Sequence, residues 1–367
     1  MKISYSKPTL LCLSLTAFLL LTSCGKRKPP LPPIENIPQK TEQLTGYQQG
    51  NRIILSIPAL QRNASNQSTQ SIRRIDVYRL AESPDAPLPL TEDEFSSRSV
   101  LIGSITYSEL LQAKGSLVYI DTLARNSELA RFRYAVRYIN AAGSRAPFSN
   151  FLLIEPTTNV AQPPGQLNAE ESESYIKIFW ENPKQNTDGS TPANLMGFNL
   201  YRVPATQDSS KILVSTPLNS KPLNDTSFSD NTFQFGEDYK YFVRSVSLGS
   251  DGNPIESVNS KDIAVSPRDK YPPSAPTAIS IAAAPNKLSI FFPANPEKDI
   301  AGYYLFRSTD QSIPLKSWTK ITPDLLTRTT FQDTNVEASK RYYYYVIAVD
   351  KSGNESKPSE IITEAVP

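Results

Sequence analysis

The chain has 367 residues, with 38 Lys and Arg against 36 Asp and Glu, and no His. Without His, Ser-His-Asp and Cys-His catalysis and imidazole metal ligation are excluded; two Cys are too few for a zinc cluster or a disulfide framework. Pro outnumbers Gly by 31 to 14, which points to many strand edges, turns and linkers.

Residues 1–23 read as an address. Lys2 and Lys7 form a positive start, and Leu10 to Leu21 is an apolar run too short to span the ~30 Å of a bilayer core. The run ends in Leu21-Thr22-Ser23-Cys24, which resembles the bacterial lipobox. That resemblance implies a lipoprotein signal peptide over 1–23, cleavage before Cys24, and membrane attachment through acylated Cys24. Removing 1–23 leaves 36 basic against 36 acidic side chains, a balance that argues against nucleic acid as a partner. Gly25, where an Asp would signal inner-membrane retention, points to the outer membrane of a bacterial cell envelope. Residues 24–39 then form a tether. Lys26, Arg27 and Lys28 are basic beside the lipid, worth about 1 kcal/mol each against an anionic leaflet. Pro29-Pro30-Leu31-Pro32-Pro33 favours a stiff polyproline II stalk.

From residue 40 onward short alternating segments recur between turn residues, with no long helical period, the pattern of an all-β sandwich protein. Three copies of one unit follow each other. Each opens with a strand, Arg52 to Ile57, Tyr175 to Trp180, or Lys287 to Phe292. Each then has a strand ending in aromatic-Arg, at Tyr78-Arg79, Tyr201-Arg202 and Phe306-Arg307. A third set starts at Phe132, Tyr239 and Tyr342, spaced by 107 and 103 residues. A turn and a Ser follow each, ending at Ser149, Ser257 and Ser359, and Val258-Asn259-Ser260 starts the last strand of the middle copy. A period near 100 suits a string of sandwiches.

On these motifs the units resemble bacterial fibronectin type III domains. Trp180 resembles the core Trp of the second strand, and Gly236-Glu237-Asp238-Tyr239 the approach to the tyrosine corner, with Tyr342 in that role in the third copy. The first copy departs most, with Ile57 for the Trp, Phe132 for the corner Tyr, and insertions around Ala81–Ser99 and Leu110–Gly115. The resemblance implies three tandem fibronectin type III (Ig-like) sandwiches at 40–157, 160–268 and 272–367. Pro-rich linkers between them are expected to limit contacts and to give an elongated, semi-rigid rod.

Little in the sequence points to chemistry. Asp350-Lys351-Ser352-Gly353-Asn354-Glu355 lacks the alternating ligands of a calcium loop and reads as a hairpin turn. Sequons at Asn63, Asn66, Asn224 and Asn354 read as loop sequence. No catalytic residue, cofactor or metal is assigned. Strand alternation places Tyr303, Leu305, Tyr342, Tyr344, Val346 and Ala348 inward, and Tyr304, Phe306, Tyr343, Tyr345 and Ile347 together on an outer face. The same positions are mixed in the other copies. An open aromatic face of this kind suits a protein or glycan partner, and these five residues are the candidate binding face. The expectation is a non-enzymatic envelope lipoprotein that presents binding domains. A structural spacer or assembly subunit is the alternative, and a carbohydrate-active accessory protein a more distant one.

Overall fold

A computed structural model describes residues 37–58, 72–106, 108–109, 116–123 and 130–367. Cys24, the signal segment and most of the tether lie outside the described residues. Among those described, no helix is long and apolar enough to cross a membrane.

The strands run in three successive groups. The first holds β1 (Thr45–Gln49), β2 (Arg52–Pro58), β3 (Ile72–Glu82), β4 (Val100–Thr106), β5 (Ser116–Thr122), β6 (Arg131–Asn140) and β7 (Leu152–Ile154), with one helix, α1 (Glu92–Arg98), between β3 and β4. The second holds β8 (Leu167–Glu171), β9 (Ile176–Trp180), β10 (Gly197–Pro204), β11 (Ser227–Asp230), β12 (Tyr239–Leu248), β13 (Pro254–Glu256) and β14 (Ile263–Val265). The third holds β15 (Ser280–Ala284), β16 (Lys287–Phe291), β17 (Ile300–Ser308), β18 (Thr319–Lys320), β19 (Thr330–Asp333), β20 (Arg341–Asp350) and β21 (Ile362–Ala365).

Two compact units contain these elements. One takes in the described residues up to Ala161 together with Gln185–Asn194 and Ser247–Ser257. In it, β1-β2-β5 packs on β4-β3-β6-β7 around Ile53, Leu55, Val77, Tyr134 and Val136. The turn strand β13 lies parallel to β1, with Gln49 opposite Glu256, and Gly50 N donates to Glu256 O at 2.8 Å.

The other unit takes in Gln162–Lys184, Leu195–Val246 and Val258–Pro367 and has two cores. One lies between β8-β9-β11 and β10-β12-β14, around Ile178, Trp180, Phe198, Leu200 and Tyr241. The second lies between β15-β16-β19 and β18-β17-β20-β21. Its inward set is Tyr303, Leu305, Tyr342, Tyr344, Val346 and Ala348, the register expected from alternation. The chain is therefore all-β, built of sandwiches. In the first and third sandwiches the fourth strand, β4 or β18, pairs with the strand after the crossover from the other sheet. This differs from the ABED/CFG arrangement of constant-type immunoglobulin domains.

The repeats share locks that bind the two sheets. In each, an Arg at the end of one strand and a Tyr of the next converge on one buried Asp. The Arg–Asp distances are 2.7 Å for Arg79 and Asp121, 2.7 Å for Arg202 and Asp230, and 2.8 Å for Arg307 and Asp333. The hydroxyls of Tyr134, Tyr241 and Tyr344 donate to the same three Asp at 2.7, 2.8 and 2.9 Å. Each guanidinium also lies over the ring two residues before that Tyr: Phe132, Tyr239 and Tyr342, at 5.2, 4.8 and 5.2 Å. Burial, reinforced by the Asp, pushes all three Tyr hydroxyls well above their ordinary pKa.

The corner hydroxyls behave as the resemblance implies. Tyr239 Oη accepts from Gln234 N and Tyr342 Oη from Glu337 N, each at 3.1 Å. A second shared device is a Ser that stands in for a ladder partner. Ser149, Ser260 and Ser359 accept the N–H of Val136, Val243 and Val346 at 3.0, 3.0 and 2.9 Å. In the middle copy the equivalent Ser is thus Ser260, not Ser257, because the segment between the paired Val and the Ser is four residues longer there. Gly197 and Gly302 mark the other tight point. A Cβ there would sit 2.7 and 2.9 Å from the carbonyl oxygens of Leu223 and Leu326, which bridge to the neighbouring residues Phe198 and Tyr303.

Candidate functional site

The five residues of the expected binding face do share one side of the third sandwich. Tyr304 pairs with Ile347, Phe306 with Tyr345 and Ser308 with Tyr343 across β17 and β20. Two of them are closed off from solvent and three are partly covered. The crossover after β17 folds back over them, through a single 3-10 turn at Leu315–Ser317, and delivers Trp318 onto the face. Tyr345 is 3% exposed, Ile347 8% and Trp318 5%, with Tyr304, Phe306 and Tyr343 half-buried. The rings of Phe306 and Tyr345 stack at 4.7 Å, and Trp318 lies 5.3 Å from Tyr345 and 6.5 Å from Tyr343. Two hydrogen bonds fix the roof: Tyr345 Oη donates to Leu315 O at 3.1 Å and Trp318 Nε1 to Ile313 O at 3.3 Å. Lys320 Nζ caps the Tyr304 ring at 4.0 Å. The candidate face Tyr304, Phe306, Tyr343, Tyr345 and Ile347 is therefore packed into a second small core, with Tyr345 and Ile347 buried in it and Tyr304, Phe306 and Tyr343 partly exposed at its margin. Alternation says which side a residue takes, and it is silent on what covers that side.

The other repeats close the same side by different means. In the first, helix α1 does it. Thr91 and Glu94 form a reciprocal capping box, the first turn is acidic, and Phe95 is fully buried against Phe148 and Phe151 at 5.0 and 4.6 Å. Arg137 lies 3.7 Å over the Phe148 ring and pairs with Glu92 at 3.3 Å. The β6 residues Arg131 and Arg133 are nearly buried with Glu82, and Arg131 also donates to the carbonyls of Pro84 and Ala86 at 3.2 and 2.8 Å. In the second repeat Tyr201 stacks on Phe242 at 5.0 Å beneath Ile212. Arg244, 2% exposed, lies 4.6 Å over Tyr201 and donates to Asn259 Oδ1 and Ile212 O at 2.7 and 2.8 Å.

A cleft of about 420 Å³ in the second unit brings together carboxylates that the sequence did not link. Oxygens of Asp269, Asp299 and Asp350 lie within 4.8 Å of one another. Hard oxygen donors of this kind suit a divalent cation, and among the described residues these are the grouped metal-ligating side chains. Asp350 already has another task. Its Oδ1 accepts the N–H groups of Ser352 and Asn354 at 2.8 Å each, in the turn that Gly353 closes with φ 87°. The hairpin-turn reading of 350–355 accounts for that residue.

No family model matches the sequence. Exoglucanase B of Cellulomonas fimi is 28% identical over 142 residues, which cover 38% of this chain and 12% of that protein. The chain thus spans a small fraction of the length of the curated relative it matches. Among solved structures, the FN1–FN3 domains of chicken CNTN1 align over 90% of this chain and 98% of theirs, at 14% identity and a TM-score of 0.27. A Fn3-like protein from Clostridium thermocellum aligns over 26% of this chain and 96% of its own, at 29% identity and a TM-score of 0.23. The likeness of the three sandwiches to one another rests on the Arg-Asp-Tyr locks repeated in all three.

Proposed function

We propose that this chain is a non-enzymatic lipoprotein of the bacterial cell envelope, anchored through Cys24, whose sandwiches serve as a spacer or assembly element. The observation that carries this reading is the closure of the same sheet face in all three repeats, by helix α1, by Ile212 and by Trp318. A binder built on that face would leave it open. A spacer needs repeats that are individually sealed and locked, as the Arg-Asp-Tyr sets are. The lipobox at Leu21-Thr22-Ser23-Cys24, the basic Lys26-Arg27-Lys28 and the Pro-rich run after them support anchoring, and Gly25 supports the outer membrane.

The test has two parts. Intact mass of the mature protein should show a diacylglyceryl Cys24 as its first residue, and Cys24→Ala should abolish both lipid and cleavage. In a strain lacking the gene, a chain whose residues 272–367 are exchanged for an unrelated sandwich of equal length should restore envelope integrity, while deletion of 272–367 should not. Failure of the exchange would favour specific recognition by the third sandwich.

A second reading, contact with a polysaccharide, is favoured by the likeness to exoglucanase B. Co-sedimentation of the purified protein with cellulose and with peptidoglycan tests it. Retention on either would make the repeats accessory modules that hold a glycan.

A further inference from the structure

From the contacts of residues 266–274 we infer that this Pro-rich segment is a fixed splice, and that within the second unit the sandwich of β8–β12 and β14 and the β15–β21 sandwich move as one body. A flexible linker would bond to whichever sandwich its own end adjoins. Here the bonds cross. Asp269 lies on the side of the segment that follows β14, yet its Oδ2 accepts from Ser352 Oγ at 3.1 Å and its carbonyl accepts from Asn354 Nδ2 at 3.3 Å. Both partners belong to the turn after β20. Tyr271 lies nearer β15, yet its ring sits 6.1 Å from that of Phe235 and its hydroxyl reaches Glu171 O at 3.5 Å, both in the preceding sandwich.

The segment is also held at each end by its adjoining sandwich. Gly236 N donates to Pro267 O at 2.9 Å, and Arg268 pairs with Asp238 at 2.8 Å. At the far end Ser274 N donates to Glu297 Oε1 and Asn295 Nδ2 to Ser274 O, each at 2.7 Å. Between these anchors Asp269 Oδ1 accepts Tyr271 N at 3.1 Å, so the two crossing residues are themselves tied together. Pro272 and Pro273 fix φ in the remaining stretch, which removes the backbone freedom a hinge requires. Bending that parts Asp269 from the turn after β20, or Tyr271 from Phe235, must break a crossing contact, and the expectation that Pro-rich linkers limit contact between sandwiches does not hold for this one.

Distance measurement between two spin labels tests the splice in the full chain. The labels are placed at Lys221→Cys and Lys316→Cys, both exposed, with Cys12 and Cys24 replaced by Ser. The unaltered segment should give one narrow distance distribution. Asp269→Ala with Tyr271→Ala should broaden it while leaving the strand signal in circular dichroism intact. If that variant loses its strand signal, Ser352→Ala with Tyr271→Ala repeats the test without touching Asp269. A broad distribution in the unaltered chain overturns the splice. A narrow one that persists in the folded double variants overturns its assignment to the side-chain contacts of Asp269 and Tyr271.

Discussion

The Tyr241 hydroxyl donates to Asp230 Oδ2 at 2.8 Å, and the same oxygen receives Arg202 Nη1 at 2.7 Å. The other oxygen accepts the N–H and the hydroxyl of Thr232 at 2.8 and 2.7 Å. Desolvation of this carboxylate pushes its pKa up, but the bonds from Thr232, Tyr241 and Arg202 outweigh burial and hold it below the usual Asp range. A depressed pKa means that the lock stabilises the fold above the unfolded value of about 3.9 and fades as pH falls through the folded value. The raised pKa of Tyr241 works at the other end: its contribution is complete below about 10 and is lost as pH rises toward the folded value. Stability of this sandwich should therefore be flat between those limits and fall on both sides. Asp230→Asn should remove the low-pH loss and cost about 1.5–3 kcal/mol at neutral pH, the range for bonds to a charged group. Urea titrations followed through Trp180 at several pH values check both, since Trp180 sits in this sandwich and Trp318 in the next.

The corner hydroxyls are a weaker contribution. Tyr239→Phe and Tyr342→Phe each delete one bond of 3.1 Å to a backbone N–H. Each should cost about 0.5–1.5 kcal/mol, with Tyr239, the more exposed of the two, at the lower end. Trp180→Ala should cost about 3–5 kcal/mol, because it empties a site 5% exposed and removes the edge contact to Phe198 at 5.4 Å. Thermal melting of the three variants should preserve this order.

Which residues point inward was legible because a strand has a period of two, and Tyr303, Leu305, Tyr342 and Tyr344 obey it. The Arg of each repeat is visible as a motif, but its Asp partner lies 42, 28 or 26 residues further along the chain. An aromatic-x-Asp pattern was present each time, at Tyr119-Ile120-Asp121, Phe228-Ser229-Asp230 and Phe331-Gln332-Asp333. Helix α1 was likewise signalled by Thr91 and Glu94 at capping-box spacing, in a segment otherwise read as an insertion. The roofs were the least legible. Phe95, Ile212 and Trp318 come from crossovers of different length and without periodicity, so nothing in the strand pattern ties them to the face they close.

The Ser that replaces a ladder partner makes a sharper test of the repeat. Ser359 Oγ accepts Val346 N at 2.9 Å and donates to Glu360 O at 2.9 Å, while Ser359 N bonds back to Val346 O at 2.9 Å. Val346 is fully buried, so Ser359→Ala leaves its N–H without that acceptor. The cost should be about 1–3 kcal/mol, the desolvation penalty of one buried donor. Amide hydrogen exchange should show faster exchange at Val346, and the equivalent amide at Val243, held by Ser260, should be unchanged.

Trp318 decides whether the aromatic side of the third sandwich is a core or a surface. Its ring covers Tyr345 and reaches Tyr343, and its backbone N–H closes the 3-10 turn on Leu315 O at 3.0 Å. Removing the ring by Trp318→Ala takes away the largest cover over Tyr345 and Ile347, and should cost about 3–5 kcal/mol in the third sandwich, as for other buried aromatics. The main core around Leu288, Ile290, Leu305 and Tyr344 lies on the opposite side of the β17–β20 sheet and keeps its packing. The variant should therefore fold at low temperature and expose an apolar aromatic patch. A dye that fluoresces on apolar surface should bind the variant and not the parent chain, and the variant should self-associate as concentration rises. Equal dye binding by both proteins would mean that the roof opens in solution and that Tyr304, Phe306, Tyr343, Tyr345 and Ile347 are accessible after all.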